Sequence, residues 1–154
     1  MSNIQIVPFT DAHRSAVRHV LTAIGWADQY VTASVENAVT FSQNPDTMAA
    51  YAALVDGEGE GFIYVQYYAW NQLAQIHGLA VHPAQHRKGV ALALVKQAEQ
   101  FAHSKQARGI YVDTPTTNKG GRAFYEAAGY QFGYIMPRYY EQALDGVTYQ
   151  KFFD

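Results

Sequence analysis

One segment limits the folds open to this chain more than any other. An apolar run, Ala74 to Val81, feeds the basic turn His86-Arg87-Lys88-Gly89, and a helical repeat follows from Lys88 or Gly89 to His103. Leu94, Val95, Ala98, Phe101 and Ala102 fall on one stripe of that helix. His82-Pro83 ends the strand, because proline cannot donate to a sheet ladder. Gly109 to Asp113 is a short strand beyond the helix. Strand, helix and strand in this order predict a right-handed crossover with the two strands parallel. The unbroken apolar character at 79–81 fits a strand covered on both faces. The turn itself is a ready anion site. The first N–H groups of a helix lack internal acceptors, and the helix dipole adds partial positive charge there. Gly89 lets the backbone approach a bulky ligand or adopt positive φ. Arg87 and Lys88 bring full charges beside it.

The rest of the chain reads around this unit. Ile4 and Ile6 mark a first strand that ends near Pro8. Thr10 or Asp11 caps a helix to Ile24, with Ala16, Val17, Val20, Leu21 and Ile24 at helical spacing and Gly25 as its stop. Trp26 to Tyr30 reads as a connection and Thr32 to Gln43 as a second helix. Met48 to Val55 and Phe62 to Tyr68 are predicted strands around the turn Asp56-Gly57-Glu58-Gly59, and Leu73 to Val81 is the next. Thr117 or Asn118 caps a helix to Ala128, stopped by Gly129. Gln131 to Met136 and Val147 to Phe153 are the last strands, flanking a predicted long loop from Pro137 to Gly146. The order β-α-α-β-β-β-α-β-α-β-β predicts an α/β (α+β mixed) single domain over 1–154. A central, mostly antiparallel mixed sheet of about seven strands is flanked by about four helices.

Composition narrows the chemistry. No apolar run approaches the length of a membrane span, and Met1 to Gln5 has no basic region ahead of an apolar one, so no membrane and a cytoplasmic location are expected. There is no cysteine, which removes disulfides, thiolate metal ligands and a cysteine nucleophile. A net charge of −2 argues against a nucleic-acid partner, so the positive charge that matters is local. The 12 tyrosines, 8 phenylalanines and 2 tryptophans exceed what one core can hold, so some should line a pocket or an interface. That surplus, with the C-terminal strand pair, leaves room for a homodimer.

Three motifs together resemble the GCN5-related N-acetyltransferase (GNAT) family, across nearly the whole chain in element order and most strongly from Ala74 to Tyr130. The family signature is Gln or Arg, two residues, Gly, one residue, then Gly or Ala. His86-Arg87-Lys88-Gly89-Val90-Ala91 matches it except that His86 replaces Gln or Arg, with Gln85 one residue early. Leu79-Ala80-Val81-His82-Pro83 looks like the family's fourth strand. Asn118, then Phe124-Tyr125-Glu126 and Gly129-Tyr130, looks like its asparagine and closing helix. The resemblance implies the acyl-CoA N-acyltransferase fold, acetyl-CoA as cosubstrate, and acetyl transfer to a small-molecule or peptide amine. It implies that the 86–91 backbone holds the pyrophosphate and that Leu79 and Val81 pair with the pantetheine arm like an added strand. Asn118 and Phe124 fall beside that arm, and Tyr125 stands near the sulfur as proton donor to the leaving thiolate.

Without a cysteine, direct attack of the amine in a ternary complex is the simpler route. The base is less clear. Where many family members carry a glutamate on the fourth strand, this chain has Gln75, which cannot take a proton at neutral pH. His77, two residues on, is the expected base or relay, and Asp113 a minor candidate. The resemblance places the acceptor groove between the first two helices and the last strand pair, where Trp26, Tyr30, Tyr139, Tyr140 and Glu141 lie. Aromatic walls with one carboxylate suit a cationic or apolar amine. Arg138-Tyr139-Tyr140 also looks like the loop before the last strand of ribosomal-protein N-terminal acetyltransferases, which keeps a peptide α-amine open. A non-catalytic acyl-CoA sensor is the rival from another class, and the missing glutamate is its best support. A P-loop is set aside, because the second glycine and the Gly-Lys-Ser/Thr ending are absent. His77, His82 and His86 fall on different faces or elements without an acidic or thiolate partner in sequence, so no metal is expected.

Overall fold

The computed structural model describes residues 2–154. Strand β1 (Ile4–Pro8) leads through a 3-10 turn, Asp11–His13, into helix α1 (Arg14–Ile24), and α2 (Asp28–Ser42) follows. Three antiparallel strands come next: β2 (Met48–Val55), β3 (Glu58–Tyr68) and β4 (Leu73–Val81). A second 3-10 turn, Pro83–Gln85, precedes α3 (Val90–Ser104). Then come β5 (Gly109–Pro115), α4 (Lys119–Ala127), β6 (Gln131–Glu141) and β7 (Leu144–Phe152). The seven strands form one sheet in the order β1-β2-β3-β4-β5-β7-β6. Among the described residues only β4 and β5 run parallel, around the crossover helix α3. Among the described residues no helix is long and apolar enough to cross a membrane.

Period-two alternation in β3 divides the core. Phe62 and Tyr64 face α1 and α2, joining Val17, Val20, Leu21, Val31, Ala38 and Phe41. Ile63 and Val65 face α3 and its stripe of Leu94, Val95, Ala98 and Ala102. Helices therefore cover both faces, as the element order predicts.

Three boundaries differ from the sequence reading. Residues 26–30 are not all connection, since α2 begins at Asp28. Asp28 fits the positive helix N-terminus and its carboxylate accepts from Arg18 at 3.0 Å. The turn between β2 and β3 is only Asp56-Gly57, because Glu58 already pairs with Val55. The predicted loop from Pro137 to Gly146 is a hairpin: β6 runs to Glu141 and β7 starts at Leu144. Its ladder breaks between Met136 and Glu141, where Arg138 takes φ 57° and donates its N–H to the Asp145 carboxylate at 2.8 Å. Pro137 and Gly146 mark that irregularity, and in sequence they mimic the ends of a loop.

A split in the sheet positions the site. β4 and β5 pair only from Leu73 with Gly109 to Ile76 with Val112, although both strands continue. A bulge lies at the same place. Tyr64 pairs with Gly78 and Val65 with Ile76, so His77 is an extra residue. The bulge switches the alternation of β4: Ala74 and Ile76 feed the α3 core before it, Leu79 and Val81 after it. Gly78 sits under the ring of Tyr64, where a side chain would collide.

Candidate active site

A cavity of ≈ 910 Å³ opens where β4 leaves β5. Leu79, Ala80 and Val81 form one wall, Gln85, His86, Arg87, Gly89 and Ala91 the turn, and Asn118, Phe124 and Tyr125 the opposite wall. Most residues marked for a cofactor thus surround one space, and Trp26 reaches it from the α1 side. Lys88 is exposed and does not line it, and Val90 turns its side chain into the core. Ile24, Leu92, Gly120, Gly121 and Ala123 also line the cavity. Small and apolar side chains carry no chemical signature, so these five positions are not legible in the sequence.

The turn has the geometry to accept an anion. Gly89 caps α3 at φ 89°, the left-handed region. The His86 N–H donates to Pro83 O at 3.2 Å and the Ala93 N–H to Gly89 O at 3.0 Å. Among the described residues, no N–H group between these two has a backbone acceptor outside the helix. Arg87 takes φ 62°, a conformation tolerated where the chain is over-determined. The His86 imidazole is committed elsewhere, with Nε2 2.9 Å from Val81 O. Gln85 reaches the cavity instead, and its side-chain oxygen is buried without a partner.

The open edge of β4 has a definite register. His82 N–H donates to Glu60 O at 2.8 Å. By alternation, Ala80 and Gly78 bond β3 while Leu79 and Val81 point their backbone groups at the split. Val81 O is the one that His86 occupies, which leaves the Val81 N–H and both Leu79 groups for an extended ligand. Asn118 caps α4, accepting the Gly121 N–H at 3.0 Å and donating to Thr114 Oγ1 at 2.9 Å.

Tyr125 is held by the rings of Phe124, Tyr130 and Tyr149 and is only 6% exposed. Burial first, and Tyr140 second, push its phenol well above the ordinary tyrosine value. The phenol is therefore neutral at neutral pH.

A second group of side chains lies just past the split, where His77 and Asp113 follow the last paired residues. The Asp113 carboxylate accepts from Thr148 Oγ1 at 2.5 Å, and from Gln75 Nε2 and Tyr139 OH at 3.4 Å each. Tyr111 donates to Gln75 Oε1 at 3.0 Å. Burial, then Tyr68 and Asp113, raise the Tyr111 phenol to about 12. Burial and then Asp113 raise Tyr139 and Tyr140 as well. The phenols are therefore neutral, and Asp113 supplies the charge among them. His77 lies 3.0 Å from Tyr68 OH and packs edge-on against Phe41. Burial lowers its pKa and Asp113 partly opposes this. Tyr139 (47% exposed) and Tyr140 (40%) stand on an open face outside the cavity, and Tyr30 is exposed on the first turn of α2. Of the four aromatics marked for an acceptor, Tyr139 and Tyr140 pack on each other, rings 4.8 Å apart, and Tyr139 reaches Asp113, while Trp26 lines the cavity and Tyr30 stands on α2. The structure centres the charge on Asp113, which the sequence offered only as a minor base.

The profile of the Acetyltransferase (GNAT) family matches residues 17–130. A streptothricin acetyltransferase of Escherichia coli is 32% identical over 97 residues, 63% of this chain and 55% of that protein. The chain spans about half the length of the curated relatives it matches. A putative streptothricin acetyltransferase from Bacillus anthracis, solved in complex with acetyl coenzyme A, is 25% identical with a TM-score of 0.70. That match covers 76% of this chain and 69% of that one. A putative GNAT-family acetyltransferase from Desulfovibrio desulfuricans has a TM-score of 0.84 at 17% identity over 99% of both chains, which is a likeness of fold.

Proposed function

The chain belongs to the GNAT acetyltransferase family, and from that premise we propose that it transfers an acetyl group from acetyl-CoA to an amine of a small cationic molecule. The observation that carries the acceptor class is Asp113, a carboxylate ringed by neutral phenols at the mouth of the split. Such a site holds an ammonium group by charge and by aromatic faces. The relatives named for streptothricin support a small-molecule acceptor.

In this reading the coenzyme lies in the 910 Å³ cavity. Its pyrophosphate takes the free N–H groups of the 87–91 turn, and its pantetheine arm pairs with the open edge of β4. The substrate amine loses a proton to His77, directly or through water, and attacks the thioester carbonyl. N–H groups on the open edge of β4 supply donors for the oxyanion. The C–N bond forms, the C–S bond breaks, and the departing thiolate takes a proton from Tyr125.

Calorimetry with acetyl-CoA, desulfo-CoA and ATP tests the cradle. Both coenzyme forms should bind at micromolar Kd and ATP should not. Failure of both coenzyme forms would overturn the reading. In Gly89→Ala, the new Cβ meets no protein atom but is held at positive φ and stands in the ligand's space. Acetyl-CoA affinity should fall about tenfold, alongside a stability loss of about 1–2 kcal/mol.

A thiol-release assay over an amine panel tests the acceptor. Asp113→Asn should raise KM for dicationic amines about tenfold or more while changing KM for neutral amines little. His77 works as a base only when neutral. Because burial lowers its pKa, the acid limb of kcat/KM should lie below the ordinary histidine value of 6.5. The rate should be full above that limb and lost as pH falls through it. His77→Gln should remove the limb, and an unchanged profile would reject His77 as the base.

The open face around Tyr139 and Tyr140 favours a second reading, a peptide α-amine acceptor. It predicts that short peptides outcompete small amines in the same assay.

A further inference from the structure

We propose that His19, Glu60 and His82 form a binding site for a divalent transition-metal ion. The three come from separate elements: His19 from α1, Glu60 from β3, and His82 from the turn that follows β4. Their candidate ligand atoms all lie within 4.8 Å of one another. His19 Nε2 is 3.6 Å and His82 Nδ1 3.7 Å from the same Glu60 oxygen, Oε2.

These separations are too long for good hydrogen bonds. Oε2 is buried and has no hydrogen-bond partner among the described residues. A buried carboxylate oxygen left so is costly unless a cation or proton compensates it. The spacing suits a cation. Two ligand atoms bonded to one metal at about 2.0–2.2 Å, with a tetrahedral angle between them, stand about 3.3–3.6 Å apart.

The backbone aims the set. Leu54 pairs with Gly59 and Ala53 with Gly61, which makes Glu60 the extra residue of a bulge. Its carbonyl accepts the His82 N–H at 2.8 Å, so the two residues are fixed in register. The imidazoles of His19 and His82 stack nearly parallel, 4.7 Å apart at 18°, each with a nitrogen near the same oxygen, so one ring turns when both bind a single ion. His19 is half exposed, so an ion can enter from solvent and keep water as a further ligand. Two imidazoles and one carboxylate select zinc-like ions over magnesium or calcium, which favour oxygen donors. His82 Nδ1 now accepts the Ala84 N–H at 3.0 Å. Metal capture through that nitrogen replaces this bond and frees the cap of the Pro83–Gln85 turn.

The test is calorimetry of the untagged full chain with Zn²⁺, Co²⁺ and Mg²⁺, beside NMR of its six histidine side chains. The expected result is one saturable Zn²⁺ or Co²⁺ site and no Mg²⁺ binding. The imidazole signals of His19 and His82 should shift, and those of His13 and His103 should not. His19→Ala, at an exposed position that tolerates the change, should cost more affinity than the roughly 10–100-fold typical of outer-shell changes. Glu60→Gln should do the same, whereas His13→Ala should leave binding intact. No saturable binding overturns the proposal. So does binding that survives both His19→Ala and Glu60→Gln, or that responds to His13→Ala instead.

Discussion

Tyr125→Phe should lower kcat about 100-fold, equivalent to roughly 2.7 kcal/mol of transition-state stabilisation, while the Kd for acetyl-CoA stays within a factor of two or so. The ring is fixed by Phe124, Tyr130 and Tyr149, and phenylalanine fills the same space. The neighbouring phenols have partners of their own, Tyr130 in Glu99 and Tyr149 in Glu126. Tyr125 instead lines the cavity. Removing its hydroxyl should therefore cost little stability, and the loss should appear in turnover. Steady-state kinetics, calorimetry and a melting curve on one preparation separate these effects. Unchanged kcat would reduce Tyr125 to packing.

Gly78→Val should destabilise the protein by about 3 kcal/mol. For a chain of this length that is a fall in Tm of about 6–12 °C. A side chain at 78 would drive into the ring of Tyr64. That ring cannot step aside, since it stacks on Phe62 at 5.8 Å and packs on Phe41 at 5.0 Å. Gly78 also follows the bulged His77, so the disturbance should reach the open edge of β4 and weaken coenzyme binding. Thermal unfolding with and without acetyl-CoA reads both effects. A Tm within about 2 °C of the parent would contradict the packing described.

The strand, turn and helix that wall the cavity were largely legible in the sequence. Strand, basic turn, glycine and helix are contiguous, and each follows local rules of periodicity and turn chemistry. The same locality explains the errors. Pro137 and Gly146 signal a loop, yet the strand pair continues past them because Asp145 ties Arg138 across the gap. The cluster around Asp113 was less legible, since Asp113, Gln75, Tyr111, Tyr139 and Thr148 come from four strands and share no sequence pattern.

The sequence by itself therefore determined the β4–α3–β5 unit and the two-sided core, and it permitted the positive φ that the structure shows at Gly89. Those follow from residue types a few positions apart, through sterics and hydrophobic period. Only the tertiary structure decided where β4 parts from β5, that the bulge at His77 switches the faces of β4, and that His86 closes onto Val81 O. It alone brought Asp113 among phenols and His82 to His19 and Glu60. These depend on the register between distant strands, which is set by the packing of the whole sheet against its helices and leaves no local trace in the chain.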